Sequence, residues 1–376
     1  RSCEVFQPGG LYYGVNAQTK HIILADRKTL KCPNGIVLGT PGSGKSFFAK
    51  REMANAFFAT PDHILILDPE NEYTALTEQL HGQTIYLAPD SHSYLNPMDL
   101  DLSTDVGESP MLMQADFLLS QCELMMASYG NPLMPIEKSL IDRCISLVYR
   151  DYLKNPRPEN MPILGDLYQC LREQHNSRAD DLATAMEIYV TGSLSYLNHR
   201  TNVDLNNRMV CYNISKLGQG LKKLVMSNVQ KHIWQRTAVN RYAGITTRIF
   251  LDEFHLLLKE PQTAAYTAEI YKRFRKWNGI PTSLTQNVKD LLDSSEIENI
   301  LENSDFVLML NQGASDRNIL AQRLGISPQE LNHVTNSGEG EGLLFFGDKI
   351  IPFEDKFPRN TQLYRVMTTK PSDLAA

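Results

Sequence analysis

The sequence has no run of 18 consecutive apolar residues and no excess of basic residues. A helix needs about 20 mainly apolar residues to cross a membrane, so the sequence predicts no transmembrane segment, and it shows no signal peptide. The formal net charge is −6, and a chain of this charge has no overall positive field that would attract nucleic acid. Any contact with a polynucleotide is therefore expected to be local.

The cysteines lack the spacing of a metal site, because no two of them form a C-x-x-C pair. We expect free thiols in a reducing compartment. The cysteines are Cys3, Cys32, Cys122, Cys144, Cys170 and Cys211. Hydrophobic residues make up 42% of the 376 residues, which is typical of a globular protein with one large or two medium domains. The chain begins at Arg1 rather than Met, so we expect it to be a fragment of a longer protein.

A glycine-rich segment matches the phosphate-binding pattern G-x-x-x-x-G-K-[ST] at every fixed position. It follows an apolar run at 36–38 and precedes a helix-compatible segment, which is the strand–loop–helix setting that the motif requires. Glycines allow successive backbone N–H groups to turn toward phosphate oxygens, and the start of the helix adds a positive dipole end. The predicted nucleotide-binding residues are Gly39, Thr40, Pro41, Gly42, Ser43, Gly44, Lys45, Ser46 and Phe47. Among them, Lys45 is expected to contact the β- and γ-phosphates and Ser46 to bind Mg²⁺.

Two further strand ends carry polar groups that suit hydrolysis. The apolar run 248–251 ends in Asp252-Glu253, where Asp252 is expected to bind Mg²⁺ and Glu253 to polarise an attacking water. Another strand-like run ends in Thr285-Gln286. Ligands gather at the carboxyl ends of parallel strands, so Gln286 is expected to contact both the γ-phosphate and that water. The Asp-Glu pair favours a hydrolysing motor over a nucleotide switch.

The order of the remaining segments predicts an α/β fold. Strand-like runs occur at 11–15, 21–24, 36–38, 63–67, 83–87, 209–214, 248–251, 281–284, 306–310 and 343–346. Between about 96 and 205, apolar residues instead recur at helical spacing, through 111–127, 136–149 and 164–172. Strands that alternate with helices predict a mainly parallel sheet flanked by helices. We therefore predict a first part of the sheet domain at 1–95, an all-helical insertion at 96–205 and a second part at 206–376.

One segment is locally basic. No acidic residue lies between Asp204 and Asp252, while Lys222, Lys223 and Lys231 alternate with apolar residues at helical spacing. The pattern predicts an amphipathic helix with one basic face. This face is either simply solvated, or it contacts nucleic acid, a ring pore or an acidic partner.

Together these motifs resemble the HerA/FtsK superfamily of ring ATPases. Within it, the segments Asp-Pro-Glu-Asn-Glu-Tyr at 68–73 and Leu-Asn-Pro-Met-Asp at 95–99, and the helical insertion, resemble the type IV secretion and conjugation ATPases of the VirB-four, TraC and ConE kind. Ala-Gln-Arg-Leu-Gly at 321–325 and Gly-Glu-Gly-Leu at 340–343 fit the same pattern, and the resemblance covers about residues 10–355. The long amino-terminal domain of that family is absent, which supports the fragment interpretation.

The resemblance implies a RecA-like P-loop fold, hydrolysis of ATP with Mg²⁺, and assembly into a hexamer. It also implies work with other type IV secretion components, in the cytoplasm and peripheral to the membrane. The implied catalytic residues are Glu253, Gln286 and Arg275. The last would act as an arginine finger on the neighbouring subunit, and the alternatives to it are Arg273, Arg317 and Arg323.

Other classes fit less well. The sequence has neither the LSGGQ-like signature of transporter ATPases nor the Asn-Lys-x-Asp guanine motif of small GTPases. A DNA translocase of the same superfamily stays open as an alternative, and so does a scaffold that binds nucleotide without hydrolysis. Glu253 argues against the scaffold, which would have no use for a positioned base. The sequence does not specify whether the substrate is protein, pilin or DNA.

Overall fold

The structure is a computed structural model that describes residues 4–102, 109–127, 132–258, 261–286, 300–335, 337–370 and 373. Its strands are β1 (Leu11–Asn16), β2 (Ile22–Ala25), β3 (Gly35–Leu38), β4 (His63–Asp68), β5 (Gln83–Tyr86), β6 (Met209–Asn213), β7 (Thr247–Leu251), β8 (Gly279–Thr285), β9 (Phe306–Met309), β10 (Glu341–Phe346) and β11 (Lys349–Glu354). Its α-helices are α1 (Lys45–Ala59), α2 (Thr74–Gln79), α3 (Pro110–Ala127), α4 (Pro135–Val148), α5 (Arg150–Lys154), α6 (Leu164–Arg172), α7 (Ser177–Val190), α8 (Gln219–Tyr242), α9 (Pro261–Phe274), α10 (Ala314–Leu324), α11 (Pro328–Leu331) and α12 (Gln362–Met367).

The strands form one sheet in the order β2-β1-β11-β10-β9-β3-β8-β7-β4-β6-β5. Within the run β9-β3-β8-β7-β4-β6, adjacent strands pair in parallel. Every residue of β3, β6, β7, β8 and β9 is buried, as expected for parallel strands that are covered on both faces. The predicted α/β fold with a mainly parallel sheet is confirmed.

Antiparallel strands extend this sheet on one side. Strand β10 pairs antiparallel with β9 and β11, and β11 pairs antiparallel with β1. The predicted hairpin of β1 and β2 is confirmed. Strand β11 was not predicted, because its run contains Pro352, and proline usually interrupts a strand or confines it to an edge.

The register of the parallel strands brings their carboxyl ends to one edge. Leu38 ends β3 and lies beside Thr285, which ends β8. Leu251 ends β7 and lies beside Ser283 of β8 and Leu67 of β4. The segments that follow these four strands therefore share one edge of the sheet. Because β8 lies between β3 and β7, the phosphate-binding loop and Asp252 can be close in space although they are far apart in sequence.

A buried network of charges supports this sheet. Glu52 of α1 accepts hydrogen bonds through Oε1 from Arg27 Nη1 (2.9 Å), Arg248 Nη1 (3.1 Å) and Tyr13 Oη (3.0 Å). Arg248 also donates from Nε to Asp62 Oδ2 at 2.9 Å. The side chains of the two arginines and two carboxylates are at most 2% exposed. The network connects α1 to β1 and β7.

The chain forms two compact units. One consists of Arg1–Thr84, Asn207–Asn213 and Asn240–Ala376, and the other of Ile85–Asn206 and Ile214–Val239. In the second unit, α4, α6 and α7 pack on one another, and Ile141, Leu167 and Ala183 are completely buried. The helices that were predicted in this part of the chain are confirmed as α3, α4 and α6. The predicted limits of the insertion, 96 and 205, stay a prediction.

The basic segment forms α8, but one of its lysines is not on a surface. Lys231 is 5% exposed, and its ammonium donates to the carbonyl oxygens of Pro97 (2.8 Å) and Asp99 (2.6 Å). It also lies 4.8 Å from the centroid of the Phe117 ring. The prediction that Lys231 belongs to an exposed basic face is therefore wrong, because helical spacing does not distinguish a solvated lysine from one that holds buried carbonyl groups. Lys222 and Lys223 are partly exposed.

The described part of the chain also bears on the predictions about membrane-spanning helices and cysteines. Among those residues, no helix is both long and apolar enough to cross a membrane. Five cysteines are free thiols, as predicted: Cys32, Cys122, Cys144, Cys170 and Cys211. Cys3 lies outside the described residues.

Candidate nucleotide-binding site

The phosphate-binding loop has the backbone shape that its glycines permit. Gly42 has a φ of +73° and Gly44 a φ of +100°, in the left-handed region that most other residues avoid. Gly44 is also the N-cap of α1, so the loop leads directly into the helix. Among the described residues, no side chain caps this helix start, and no acidic residue lies in its first turn. The first-turn N–H groups are therefore suited to an anion.

The base of the loop is tightly fixed. A Cβ atom on Gly39 would lie 2.4 Å from Ser43 Oγ, so position 39 has no room for a side chain. The Thr40 N–H donates to the carbonyl oxygen of Asn311 at 2.9 Å, which ties the loop to the segment after β9. Ser43 Oγ is buried and has no hydrogen-bond partner within the described structure. An unpaired buried hydroxyl is costly, and a phosphate oxygen would satisfy it.

Around this base, the other residues of the motif differ in exposure. Pro41 and Gly42 are exposed at the tip of the loop, and Ser46 is partly buried in the first turn of α1. The Phe47 ring packs on Phe357, with ring centroids 6.0 Å apart. Phe47 is therefore expected to contribute its backbone N–H rather than its side chain to a nucleotide.

Lys45 lies across the loop and faces several carboxylates. Its ammonium donates to the carbonyl oxygens of Gly39 (2.9 Å) and Thr40 (3.3 Å). Burial lowers the pKa of Lys45, while the negative charges of Glu253, Asp252 and Glu72 oppose that shift. The ammonium and these carboxylates are therefore in one site, although they come from three separate segments of the chain.

Glu253 is held in a conformation that is unusual for its residue type. Its φ is +45°, a left-handed value that costs roughly 1–3 kcal/mol for a residue other than glycine. Its Oε1 accepts a hydrogen bond from Gln286 Nε2 at 3.0 Å. Its Oε2 lies 3.1 Å from His255 Nδ1, close enough for an ion pair but outside the angles of a well-directed hydrogen bond. The structure thus brings Glu253 and Gln286 into direct contact.

The two acidic residues after β7 differ in their electrostatics. Burial raises the pKa of Asp252 to about 7, and the neighbouring charge of Glu72 adds to the shift. Burial alone would also raise the pKa of Glu253, but His255, Lys45 and Gln286 together outweigh it and lower that pKa. Glu253 therefore carries its negative charge at neutral pH, as a residue that orients or activates water must.

The residues present fit a nucleoside triphosphate with Mg²⁺. No group of three or more His, Cys, Asp or Glu side chains within the described ranges could hold a metal ion by itself. Mg²⁺ in nucleotide sites is usually bound by one or two protein groups, phosphate oxygens and water, so this finding agrees with the fit. Ser46 and Asp252 are the residues that would hold it, and the ion would neutralise charge on the phosphates.

Arg275 does not join the other predicted site residues within this chain. It begins a short 3₁₀-helix, Arg275–Trp277, just before the amino end of β8, whereas Gln286 follows the carboxyl end of that strand. A strand rises about 3.3 Å per residue, so the two ends of β8 are roughly 20 Å apart. The Arg275 guanidinium is exposed and lies 3.3 Å from Cys32 Sγ.

Three residues in the site had no predicted role, namely Glu72, Tyr73 and His255. Tyr73 Oη donates to Asp252 Oδ2 at 3.1 Å, and Glu72 Oε2 is buried with no hydrogen-bond partner in the described residues. Glu72 and Tyr73 belong to a sequence segment that contributed to the resemblance. The available signal was their position after β4, since polar groups that follow a parallel strand lie at the ligand-binding edge.

Comparison with known proteins identifies a matching family and similar structures. The model of the TraG P-loop domain family matches residues 22–338. VirB4 of Thermoanaerobacter pseudethanolicus has a similar structure over 96% of this chain and 100% of its own, with a TM-score of 0.84 and 23% sequence identity. The plasmid coupling protein TrwB, in complex with the ATP analogue ADPNP, is similar over 96% of this chain and 92% of its own, with a TM-score of 0.61 and 13% identity. No curated protein sequence matches the chain.

At these identities, the structural matches establish the fold, which is the RecA-like P-loop fold that the sequence predicted. The family match covers most of the chain and includes the phosphate-binding loop, Asp252, Glu253 and Gln286. The predicted resemblance to P-loop ATPases of the VirB-four kind is confirmed. On this evidence, the chain belongs to the TraG P-loop domain family.

Proposed function

We propose that the chain is the ATP-hydrolysing motor domain of a type IV secretion or conjugation system, which powers substrate transfer or pilus assembly. The observation that carries the proposal is the hydrogen bond between Glu253 and Gln286, in a site that also contains the buried ammonium of Lys45. The family and the likeness to VirB4 support the same biological setting. The motor would act in the cytoplasm, peripheral to the membrane, with other components of the secretion system.

The proposed reaction assigns one task to each residue. The loop and Lys45 bind the triphosphate, and Ser46 and Asp252 hold Mg²⁺. Glu253 accepts a proton from a water molecule that Gln286 helps to orient. The water oxygen bonds to the γ-phosphorus as the bond from that phosphorus to the β–γ bridging oxygen breaks, and ADP and phosphate are released.

The direct test is steady-state ATP hydrolysis together with nucleotide affinity. Lys45→Ala is expected to abolish hydrolysis and much of the affinity, because the phosphates lose their buried cation. Glu253→Gln is expected to bind ATP normally and to lose at least ~10²-fold in turnover. Asp151→Asn is a control, since the Asp151 side chain is 87% exposed. Near-normal turnover in Glu253→Gln with unchanged ATP affinity would remove Glu253 as the base.

We propose further that the active form is a hexamer in which Arg275 completes a neighbouring site. The exposed guanidinium and its distance from Gln286 along β8 support action on another subunit. The ATPase rate per subunit should rise with protein concentration. Arg275→Ala should bind ATP but lose ~10³-fold in rate.

A mixing experiment tests the trans role of Arg275. Combining Arg275→Ala with Glu253→Gln protein should partly restore turnover, because some interfaces pair an intact Glu253 with an intact Arg275. If mixed assemblies form and stay as inactive as either variant alone, Arg275 is not the finger. Arg273, Arg317 and Arg323 would then be tested in the same way.

Two other functions make different predictions in the same assay. A DNA translocase would be stimulated several-fold by single- or double-stranded DNA, and Lys222→Ala with Lys223→Ala would reduce the stimulation. The partly exposed lysines of α8 are the observation that favours this candidate. A nucleotide-binding scaffold would bind ATP and show no turnover at any protein concentration.

A further inference from the structure

Tyr73 is a completely buried residue that reaches the site from the loop after β4, the strand beside β7. It is 0% exposed, and its hydroxyl donates to Asp252 Oδ2 at 3.1 Å. The other oxygen of that carboxylate, Oδ1, accepts the Glu253 N–H at 2.9 Å. Each carboxylate oxygen therefore has one protein donor and one lone pair left for a further partner. Together the two donors fix the plane of the Asp252 carboxylate.

The backbone of Tyr73 is itself held within the loop that follows β4. The Asp68 carboxylate accepts the backbone N–H groups of Glu70 (3.3 Å), Glu72 (3.0 Å) and Tyr73 (2.9 Å). On the other side of the residue, the carbonyl oxygen of Tyr73 accepts a hydrogen bond from the Thr77 hydroxyl at 2.9 Å, at the start of α2. The backbone of Tyr73 is thus bound on both sides, and because its ring is completely buried, the surrounding packing leaves the ring little room to turn away from Asp252.

We propose that Tyr73 is a positioning residue for Mg²⁺, which orients the Asp252 carboxylate so that its remaining lone pairs face the ion or its water. The inference rests on the proposed function, since it assumes that a nucleotide and Mg²⁺ bind at this site. Residues that hold a metal ligand in place typically change metal affinity by 10–100-fold when their donor is removed. Among the described residues, the Tyr73 hydroxyl is hydrogen-bonded to Asp252 and to no residue of the phosphate-binding loop, so the effect of removing it should be confined to the metal.

The test separates nucleotide binding from its dependence on Mg²⁺. ADP affinity is measured by calorimetry for the full chain, first in EDTA and then over a series of Mg²⁺ concentrations. Tyr73→Phe keeps the buried ring and removes only the donor. It should bind ADP in EDTA as the wild type does, and need roughly 10–100-fold more Mg²⁺ for half of the Mg²⁺-dependent gain in affinity.

Tyr13→Phe is the matched control. Tyr13 is 2% exposed, and its hydroxyl also donates to a buried carboxylate, Glu52 Oε1, at 3.0 Å. This variant should lose a similar amount of thermal stability and keep the wild-type Mg²⁺ requirement. A role of Tyr73 in stability alone would make the two variants behave alike.

Two results would overturn the inference. One is a Mg²⁺ requirement in Tyr73→Phe within twofold of the wild type. The other is an equal loss of ADP affinity in EDTA and in Mg²⁺, which would mean that the nucleotide site as a whole is disturbed. If the wild type binds no ADP in either condition, the proposed function fails and the inference fails with it.

Discussion

Replacing Glu52 by glutamine is expected to destabilise strongly the compact unit formed by Arg1–Thr84, Asn207–Asn213 and Asn240–Ala376, although position 52 is outside the nucleotide site. The carboxylate is the charge that faces both Arg27 and Arg248 in a region with almost no solvent exposure. Glutamine has nearly the same shape and keeps one acceptor oxygen, so the substitution removes charge and leaves the packing nearly unchanged. The main consequence is that a buried guanidinium has less negative charge near it to balance its own positive charge.

The magnitude follows from the partners that remain. Arg248 keeps its ion pair with Asp62 at 2.9 Å. Arg27 keeps only neutral acceptors among its observed partners, which include Thr282 Oγ1 at 2.8 Å and the carbonyl oxygen of Pro33. Breaking a buried ion pair by removing one partner typically costs about 3–5 kcal/mol. For a domain of 150–250 residues, each kcal/mol lowers the unfolding temperature by about 2–4 °C, so we expect a decrease of ~6–20 °C.

The assay is scanning calorimetry of wild type and Glu52→Gln at pH 7. Glu339→Gln is the matched control, because Glu339 forms an ion pair with Lys370 in which both side chains are more than 40% exposed. Exposed ion pairs contribute about 0–1 kcal/mol, so the control should unfold within ~4 °C of the wild type. If Glu52→Gln unfolds as close to the wild type as this control does, the buried network does not stabilise the fold in the way described.

Three other predictions concern separate parts of the chain. Gln286→Ala should lose about tenfold in ATP turnover and keep ATP affinity, because Glu253 loses a hydrogen bond from an exposed amide; unchanged turnover would exclude a role for Gln286. Gly342→Ala should lower the unfolding temperature by an amount equivalent to about 1–3 kcal/mol, since the new Cβ would lie 2.2 Å from the Met309 carbonyl oxygen. An unchanged unfolding temperature would show that β9 and β10 can move apart enough to accommodate the Cβ at no cost in stability. Burial lowers the pKa of Lys231 to about 7, below its unfolded value, so the unfolded chain binds that proton more tightly and stability should rise from pH 7 to pH 9. Lys231→Met should remove this contribution, and equal pH dependence of the unfolding temperature in both proteins would contradict it.

Much of the candidate site follows from local sequence. The phosphate-binding loop could be predicted because its glycines, lysine and serine act within eight consecutive residues, and the shape of such a loop depends mainly on its own backbone. Asp252, Glu253 and Gln286 could be predicted because each follows an apolar strand, and parallel strands present their carboxyl ends at one edge. These predictions needed the direction of the strands but not their detailed packing.

The burial of Lys231 and the places of Glu72 and Tyr73 in the site depend instead on contacts between distant segments. Lys231 has the spacing of a surface residue, and only the tertiary structure shows that it is buried, with its ammonium on the carbonyl groups of Pro97 and Asp99. Tyr73 and Asp252 are 179 positions apart, and their hydrogen bond exists because β4 and β7 are neighbours in the sheet.

The sequence by itself determined the fold class, and it predicted the ligand class and the chemistry at three strand ends, because those properties arise from residue types within short segments. The tertiary structure decided which of these segments meet. It inserted β8 between β3 and β7, which brings Gln286 to Glu253, and it put Arg275 at the opposite end of the same strand. The order of strands in a sheet depends on packing over the whole chain, and no local pattern in this sequence encodes it.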